Sequence, residues 1–336
     1  MFAVHNRRTR RVGVRPLLLA LSLAAICLLT IGMPSDVAAQ AKVGTTGAQF
    51  LEVGVSARAM GMAEAFAAVA NDASAVYYNP AGLTALYGRE VMATYIQMPA
   101  DVQYGAVAVG MPLESIGGVL GVAAYALTSG DMVERTYLNG VDGYPDPGIN
   151  GTGRTFAYND LAVAMSYGRY LTDKFSIGFT VRYIGEFTHD YSANGWSADV
   201  GVNYDTGYRG FKLAMAITNF GPDLQMIDKE YPLPINFRFG GTINVVETLD
   251  HIVTLAAEGS HPADNLEKYN AGVEYLFKQR FALRVGSRFN YDSDGFTAGG
   301  GFRIPYGDES EFRFDYAYQD FGLLTEVHRF TLSMAF

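Results

Sequence analysis

From Arg89 to the carboxyl end, apolar and polar residues exchange places at almost every step, and this period of two constrains the fold more than any other feature of the chain. Phe312, Phe314, Tyr316 and Tyr318 alternate with Glu311, Arg313, Asp315 and Ala317, so one face is aromatic and the other is mostly charged. Phe175, Ile177, Phe179, Val181 and Tyr183 alternate with Ser176, Gly178, Thr180 and Arg182. Phe281, Leu283 and Val285 alternate with Ala282, Arg284 and Gly286, and Phe330, Leu332, Met334 and Phe336 with Arg329, Thr331, Ser333 and Ala335. Strands are predicted at 89–99, 102–113, 116–128, 159–171, 174–186, 194–205, 210–219, 233–246, 250–260, 268–278, 280–291, 294–304, 310–319 and 327–336.

A soluble sandwich also alternates, so the compartment matters. Arg7, Arg8, Arg10, Arg11 and Arg15 form a basic head before the apolar run 17–33, and Val37-Ala38-Ala39 follows. That order reads as a secretory signal cut after Ala39 or Ala41. A membrane anchor is the alternative, but the apolar run is shorter than the roughly 20 residues a span requires. Cys27 lies inside the signal, and Ile26 and Leu28-Leu29 do not fit a lipoprotein site, so no disulfide or thiol chemistry is expected of the mature chain. Removal of five arginines and Asp36 leaves 20 basic against 33 acidic residues, a balance of −13, which disfavours nucleic acid as a partner.

Export, nearly continuous alternation and strand lengths near the roughly 9–11 residues of a tilted membrane strand point to the outer membrane. The 38 glycines, 22 tyrosines and 21 phenylalanines suit strands with aromatic rings at the two lipid interfaces. Parity of the connections supports this. Even-numbered ones (114–115, 172–173, 206–209, 247–249, 278–279, 305–309) are tight, whereas odd-numbered ones include 129–158, 221–232, 261–267 and 320–326. The expected fold is all-β: a fourteen-stranded antiparallel transmembrane barrel in contact with outer-membrane lipid, with short turns on the periplasmic side.

Fourteen strands enclose a bore wider than eight strands can fill with their own side chains. Residues 42–88 are the only segment free to occupy it. Within them 58–70 reads as a short helix of small side chains stopped at Asn71-Asp72, Ser74 is positioned to cap a further turn, and Asn79-Pro80 forces a break. Gly299, Gly300 and Gly301 leave room on the wall. A periplasmic extension and an amphipathic surface helix are the alternatives, and the segment is too weakly basic for the latter. The expected organisation is a cleaved signal over 1–39, a luminal hatch with short helices over 40–88, and a barrel over 89–336.

Residues 50–83, FLEVGVSARAMGMAEAFAAVANDASAVYYNPAGL, resemble the amino-terminal signature of the PorV/PorQ family, itself similar to the FadL-type fourteen-stranded barrels with an internal hatch. Residues 217–241, ITNFGPDLQMIDKEYPLPINFRFGG, resemble that family's strand, loop and strand. The resemblance implies a non-enzymatic outer-membrane protein serving type IX secretion, whose partners are secretion components or exported cargo. Its FadL-type side implies instead a hatch-gated transporter of hydrophobic small molecules.

No catalytic or metal-binding constellation can be assembled, and no cofactor is expected: His189, His251, His261 and His328 are scattered without ligand spacing, no serine–histidine pair suggests a lipase, and the glycine-rich stretch from Gly151 lacks the context of a phosphate loop. Arg182, Arg238, Arg284, Arg288, Arg303 and Arg313, together with Asp199, Glu258, Glu274, Glu311 and Asp315, fall mostly on the predicted inner face. They form either a selectivity ring or a charge network bracing the hatch. Arg58, Asn79 and Pro80 are the candidate hatch and gate residues, with Arg58 held by a wall carboxylate. Leu224, Met226 and Ile227 form an apolar patch on an outer loop and are the candidates for receiving a ligand or partner.

Overall fold

A computed structural model describes residues 43–134, 154–292, 295–306 and 310–336. The signal expected over 1–39 and the glycine-rich stretch at 151–153 lie outside the described residues.

Among the described residues, fourteen antiparallel strands close into a barrel. They are β1 (Glu90–Gln97), β2 (Gln103–Leu113), β3 (Gly118–Thr128), β4 (Tyr158–Tyr170), β5 (Phe175–Thr188), β6 (Tyr191–Asp205) and β7 (Lys212–Phe220). The second half comprises β8 (Asn236–Glu247), β9 (His251–Pro262), β10 (Lys268–Phe277), β11 (Phe281–Phe289), β12 (Phe296–Tyr306), β13 (Ser310–Asp320) and β14 (Glu326–Ala335). Each strand pairs with its sequence neighbours, and β1 closes on β14 in the register Glu90↔Ala335 to Gln97↔His328. Closure leaves no unpaired edge.

Alternation sorts the two faces. Phe179, Val181, Tyr183, Leu283, Val285, Leu332 and Met334 are exposed on the outside, whereas Thr180, Arg182, Arg284, Arg313 and Thr331 are buried on the inside. An exposed apolar surface this extensive is foreign to a soluble monomer.

Arg89 and Phe336 exchange two backbone hydrogen bonds of 2.8 and 2.9 Å, so both ends of the barrel chain meet at one rim. Even-numbered connections return at this rim, the turn end, and are short. At the opposite rim, the loop end, the connections between β3 and β4 and between β7 and β8 are long and carry small hairpins, Met132–Val133 with Thr155–Phe156 and Leu224–Gln225 with Glu230–Tyr231. The connection after β5 is shorter than expected. β5 and β6 run on to a tight turn at His189-Asp190, where His189 takes a φ of 47°, because the pairing Thr188↔Tyr191 extends the ladder beyond the apolar alternation.

The segment ahead of β1 contains α1 (Ala57–Gly61), α2 (Ala75–Tyr78) and two 3-10 turns, Gln49–Glu52 and Pro80–Ala85. The helix expected over 58–70 therefore stops after one turn. Ala63 and Glu64 adopt φ values of 55° and 62°, and the N–H groups of Phe66 and Ala67 turn away from helical carbonyls to a carboxylate oxygen of Glu258, at 2.9 and 2.8 Å. Two strong charge-assisted bonds replace the helix ladder. Ser74 precedes α2 but makes no side-chain cap. Its hydroxyl donates to Asp72 instead.

Candidate functional site

The amino-terminal segment meets inward-facing residues around the barrel. α1 packs on β11 to β14, and the turn Pro80–Ala85 packs on β3 to β6. Close approach needs missing side chains on the wall. A Cβ at Gly272 would lie 2.4 Å from the Met62 carbonyl oxygen, and one at Gly178 2.3 Å from the Pro80 carbonyl carbon. Of the three glycines of β12, Gly299 meets Gly61 of α1, whereas Gly300 faces away from the segment.

Arg58 is the principal electrostatic tie. Ser56 caps α1 by accepting from Ala59 N–H at 3.4 Å, and Arg58 lies in the turn so capped. Its Nε and Nη2 donate to the two oxygens of Glu274, both at 3.0 Å, and Nη1 donates to Asn71 at 2.6 Å and Asp72 at 3.0 Å. Glu274 also accepts from Arg284 Nε at 2.6 Å, and Arg284 Nη1 reaches Asp315 at 2.6 Å. The result is an alternating chain, Asp72–Arg58–Glu274–Arg284–Asp315, buried throughout. Burial alone would raise the Asp72 carboxyl, but Arg58 and Arg313 outweigh it and hold the group below the ordinary carboxylate range. The mixed signs fit the bracing network rather than a selectivity ring.

Asn79 works without charge. Its Nδ2 donates to the carbonyls of Ala67 at 3.0 Å and Val202 at 3.2 Å, while Oδ1 accepts from Ala81 N–H at 3.1 Å. One amide thus fixes the segment's own fold and joins it to β6. Pro80 follows at the first position of its 3-10 turn, where its lack of an N–H forfeits nothing. At the other side Arg329 Nε donates to the Gly54 carbonyl at 3.3 Å, and Ala57 N–H to Thr331 at 3.0 Å.

Residues 46–49 lie at the loop end. Glu186 of β5 accepts from Ala48 N–H at 3.1 Å, Tyr158 hydroxyl at 2.9 Å and Tyr231 hydroxyl at 2.7 Å. Gly47 N–H donates to the Pro232 carbonyl at 3.0 Å, and Gln49 Nε2 to Asp264 at 3.1 Å. One carboxylate therefore joins the amino-terminal segment to the loop between β7 and β8. Glu186 escaped the sequence reading although its parity with Arg182 marks it as inward. Asn71 and Asp72 were read only as a helix stop, whereas they are partners of Arg58.

The apolar loop patch does not hold together. Leu224 is 1% exposed, packed against Gly195, whereas Ile227 is 58% exposed and Met226 half-buried. The hairpin pairing Leu224↔Tyr231 turns the leucine inward and leaves Ile227 at the tip. The histidines remain separate, with His251 and His328 bonded to Tyr275 and Tyr316 at 2.8 and 2.9 Å. Among the described residues no group of three or more potential metal ligands occurs.

Below the loop end lies a small chamber that is open on one side. Leu51, Glu52, Glu64 and Tyr77 of the segment line one side, and Arg182, Arg238, Lys268 and Arg288 of the wall the other.

No family model matches the chain, and no curated protein matches it. Solved structures of similar fold exist. The toluene transporter TbuX of Ralstonia pickettii aligns with a TM-score of 0.53 at 13% identity, covering 82% of this chain and 96% of that one. The toluene transporter TodX of Pseudomonas putida aligns with a TM-score of 0.53 at 10% identity, covering 78% and 92%. At such identity the likeness concerns the fold: this chain and those transporters share a barrel architecture.

Proposed function

We propose that this chain is an outer-membrane β-barrel of the FadL-like kind, in which residues 40–88 form a luminal hatch, and that it passes small hydrophobic molecules across the outer membrane. The observation that carries the reading is a closed barrel with an exposed apolar exterior whose bore-facing residues are tied to a buried segment by Arg58, Asn79 and Glu258. An apolar exterior belongs in lipid, and residues bonded around the inside of a barrel obstruct it. In this orientation the turn end is periplasmic and the loop end extracellular. Residues 1–39 act as the cleaved export signal.

In the gate reading Arg58 is the charged clasp, and Asn79 with Pro80 forms the fixed end against β5 and β6. Passage requires part of the segment to leave the wall, and the single guanidinium between Asp72 and Glu274 is the point where two sides separate together. No step of this process calls for bond-making chemistry.

The sequence resemblance favours type IX secretion first and hydrophobic transport second. The comparisons support the second: similar solved folds are those of toluene transporters, and nothing in them speaks for secretion components or cargo. The testing experiment measures uptake of labelled toluene by cells whose lipopolysaccharide-bearing outer membrane contains this protein. Faster uptake than in cells without it supports the reading. Equal uptake, with the barrel correctly inserted, overturns it.

A further inference from the structure

The chamber beneath the loop end is more polar and more cationic than passage of a plain hydrocarbon requires. Four cations line it against two carboxylates, Glu52 and Glu64. Two of the cations present unused donors. Arg182 spends its Nη atoms on Asp199, Ser197 and Asn219, yet its buried Nε has no partner. Arg238, 9% exposed, lies 2.8 Å through Nε from Glu258 and 5.5 Å from the Tyr78 ring, and that buried Nε completes no hydrogen bond. Lys268 has no carboxylate within ion-pair distance among the described residues, and its ammonium lies 5.1 Å from the Tyr291 ring.

The two acidic groups do not absorb this capacity. Glu64 is taken by Arg288 at 3.4 Å and by the Tyr78 hydroxyl. Glu52 forms no direct ion pair among the described residues, and burial raises its carboxyl towards the neutral form against the opposing pull of Lys268 and Arg238. Buried donors without acceptors are costly, and an oxyanion is the ligand that satisfies several at once. Leu51, Tyr77 and Tyr291 add apolar surface around the cationic groups.

We propose that this chamber binds a small carboxylate with a compact apolar body, its oxygens received by Arg238 and Lys268 with Arg182 behind them, and its body against Tyr77, Tyr291 and Leu51. The inference rests on the transport reading and narrows it: the preferred solute is an organic acid and not its neutral hydrocarbon.

Benzoate and toluene provide a matched pair, sharing a ring and differing in charge. Binding of labelled benzoate to the purified full chain in detergent is measured by equilibrium dialysis, with toluene as competitor, for the native protein, Lys268→Gln and Lys268→Arg. Lys268 is half-buried and outside every ion pair among the described residues, so its replacement spares the fold. The expected result is saturable benzoate binding, weakened about tenfold in Lys268→Gln, largely retained in Lys268→Arg, and resistant to toluene. Absence of saturable binding to folded protein, equal binding by Lys268→Gln, or full displacement by toluene each overturns the proposal. Toluene uptake by cells reports on the transport reading separately, so uptake without benzoate binding removes this inference alone, and benzoate binding without toluene uptake removes the hydrocarbon reading alone.

Discussion

Replacing Arg58 by glutamine is the sharpest test of what holds the amino-terminal segment against the barrel wall. The native guanidinium makes four hydrogen bonds, two to Glu274 and one each to Asn71 and Asp72, at 2.6 to 3.0 Å. Breaking a buried ion pair from one side costs about 3–5 kcal/mol, largely because the remaining charge is left without compensation. Glu274 would not be orphaned, since Arg284 stays on it at 2.6 Å. Asp72 loses its direct cation but keeps Ser74. The loss therefore falls near the lower bound, about 3 kcal/mol. At 1.4 kcal/mol per tenfold, the population in which the segment has left the wall rises about a hundredfold. The assay is swelling of liposomes containing the full chain in small sugars, with single-channel conductance as a second readout. Arg58→Lys keeps the charge but not the fork that spans both oxygens of Glu274, and belongs between native and glutamine. Native leakage in Arg58→Gln, with far-UV dichroism and heat-shifted migration showing an intact barrel, would refute the clasp.

Acid should loosen the same site. The Asp72 carboxyl is held below its unfolded value of about 3.9, so its stabilisation is present above that pH and is lost as pH falls through the lower folded value; leakage should rise below about pH 4 and be less acid-dependent in Asp72→Asn. Gly272→Val places carbon against the Met62 backbone, where a Cβ would lie 2.4 Å from the carbonyl oxygen, and should displace the segment while leaving strand pairing intact, read as increased leakage with unchanged barrel dichroism. Glu186→Leu removes the acceptor of Tyr231, Tyr158 and Ala48, so trypsin should cut at Lys229 several times faster in the variant; equal rates would show that the loop is held elsewhere. At the turn between β10 and β11, Lys278 and Gln279 both have positive φ, at 49° and 56°, and Gln279→Gly should stabilise the barrel by about 1 kcal/mol in urea titration.

The barrel was legible because alternation is a property of each strand alone. Phe312 to Tyr318 state their faces without reference to any neighbour, and closure then follows from the even strand count and the meeting of Arg89 with Phe336. The amino-terminal segment obeys no such local rule. Its 58–70 stretch has helical composition, yet the carboxylate of Glu258, about 190 residues further on, takes the N–H groups that would have continued the helix. Leu224 misled for the same reason, since only the pairing with Tyr231 determines that it points inward.

Arg58 shows where the boundary between local and tertiary information lies. A lone cation on a segment of small residues implies a counter-charge on the wall, and inward parity restricts the candidates to a few carboxylates. Choosing Glu274 among them requires the distance between α1 and β10, which depends on Gly272 allowing Met62 to approach the strand and on Gly299 allowing Gly61 to do so. The glycines that appear as gaps in the strand pattern are therefore the residues that select the ion pair. Filling one of them should alter the electrostatics of the bore without changing any charge.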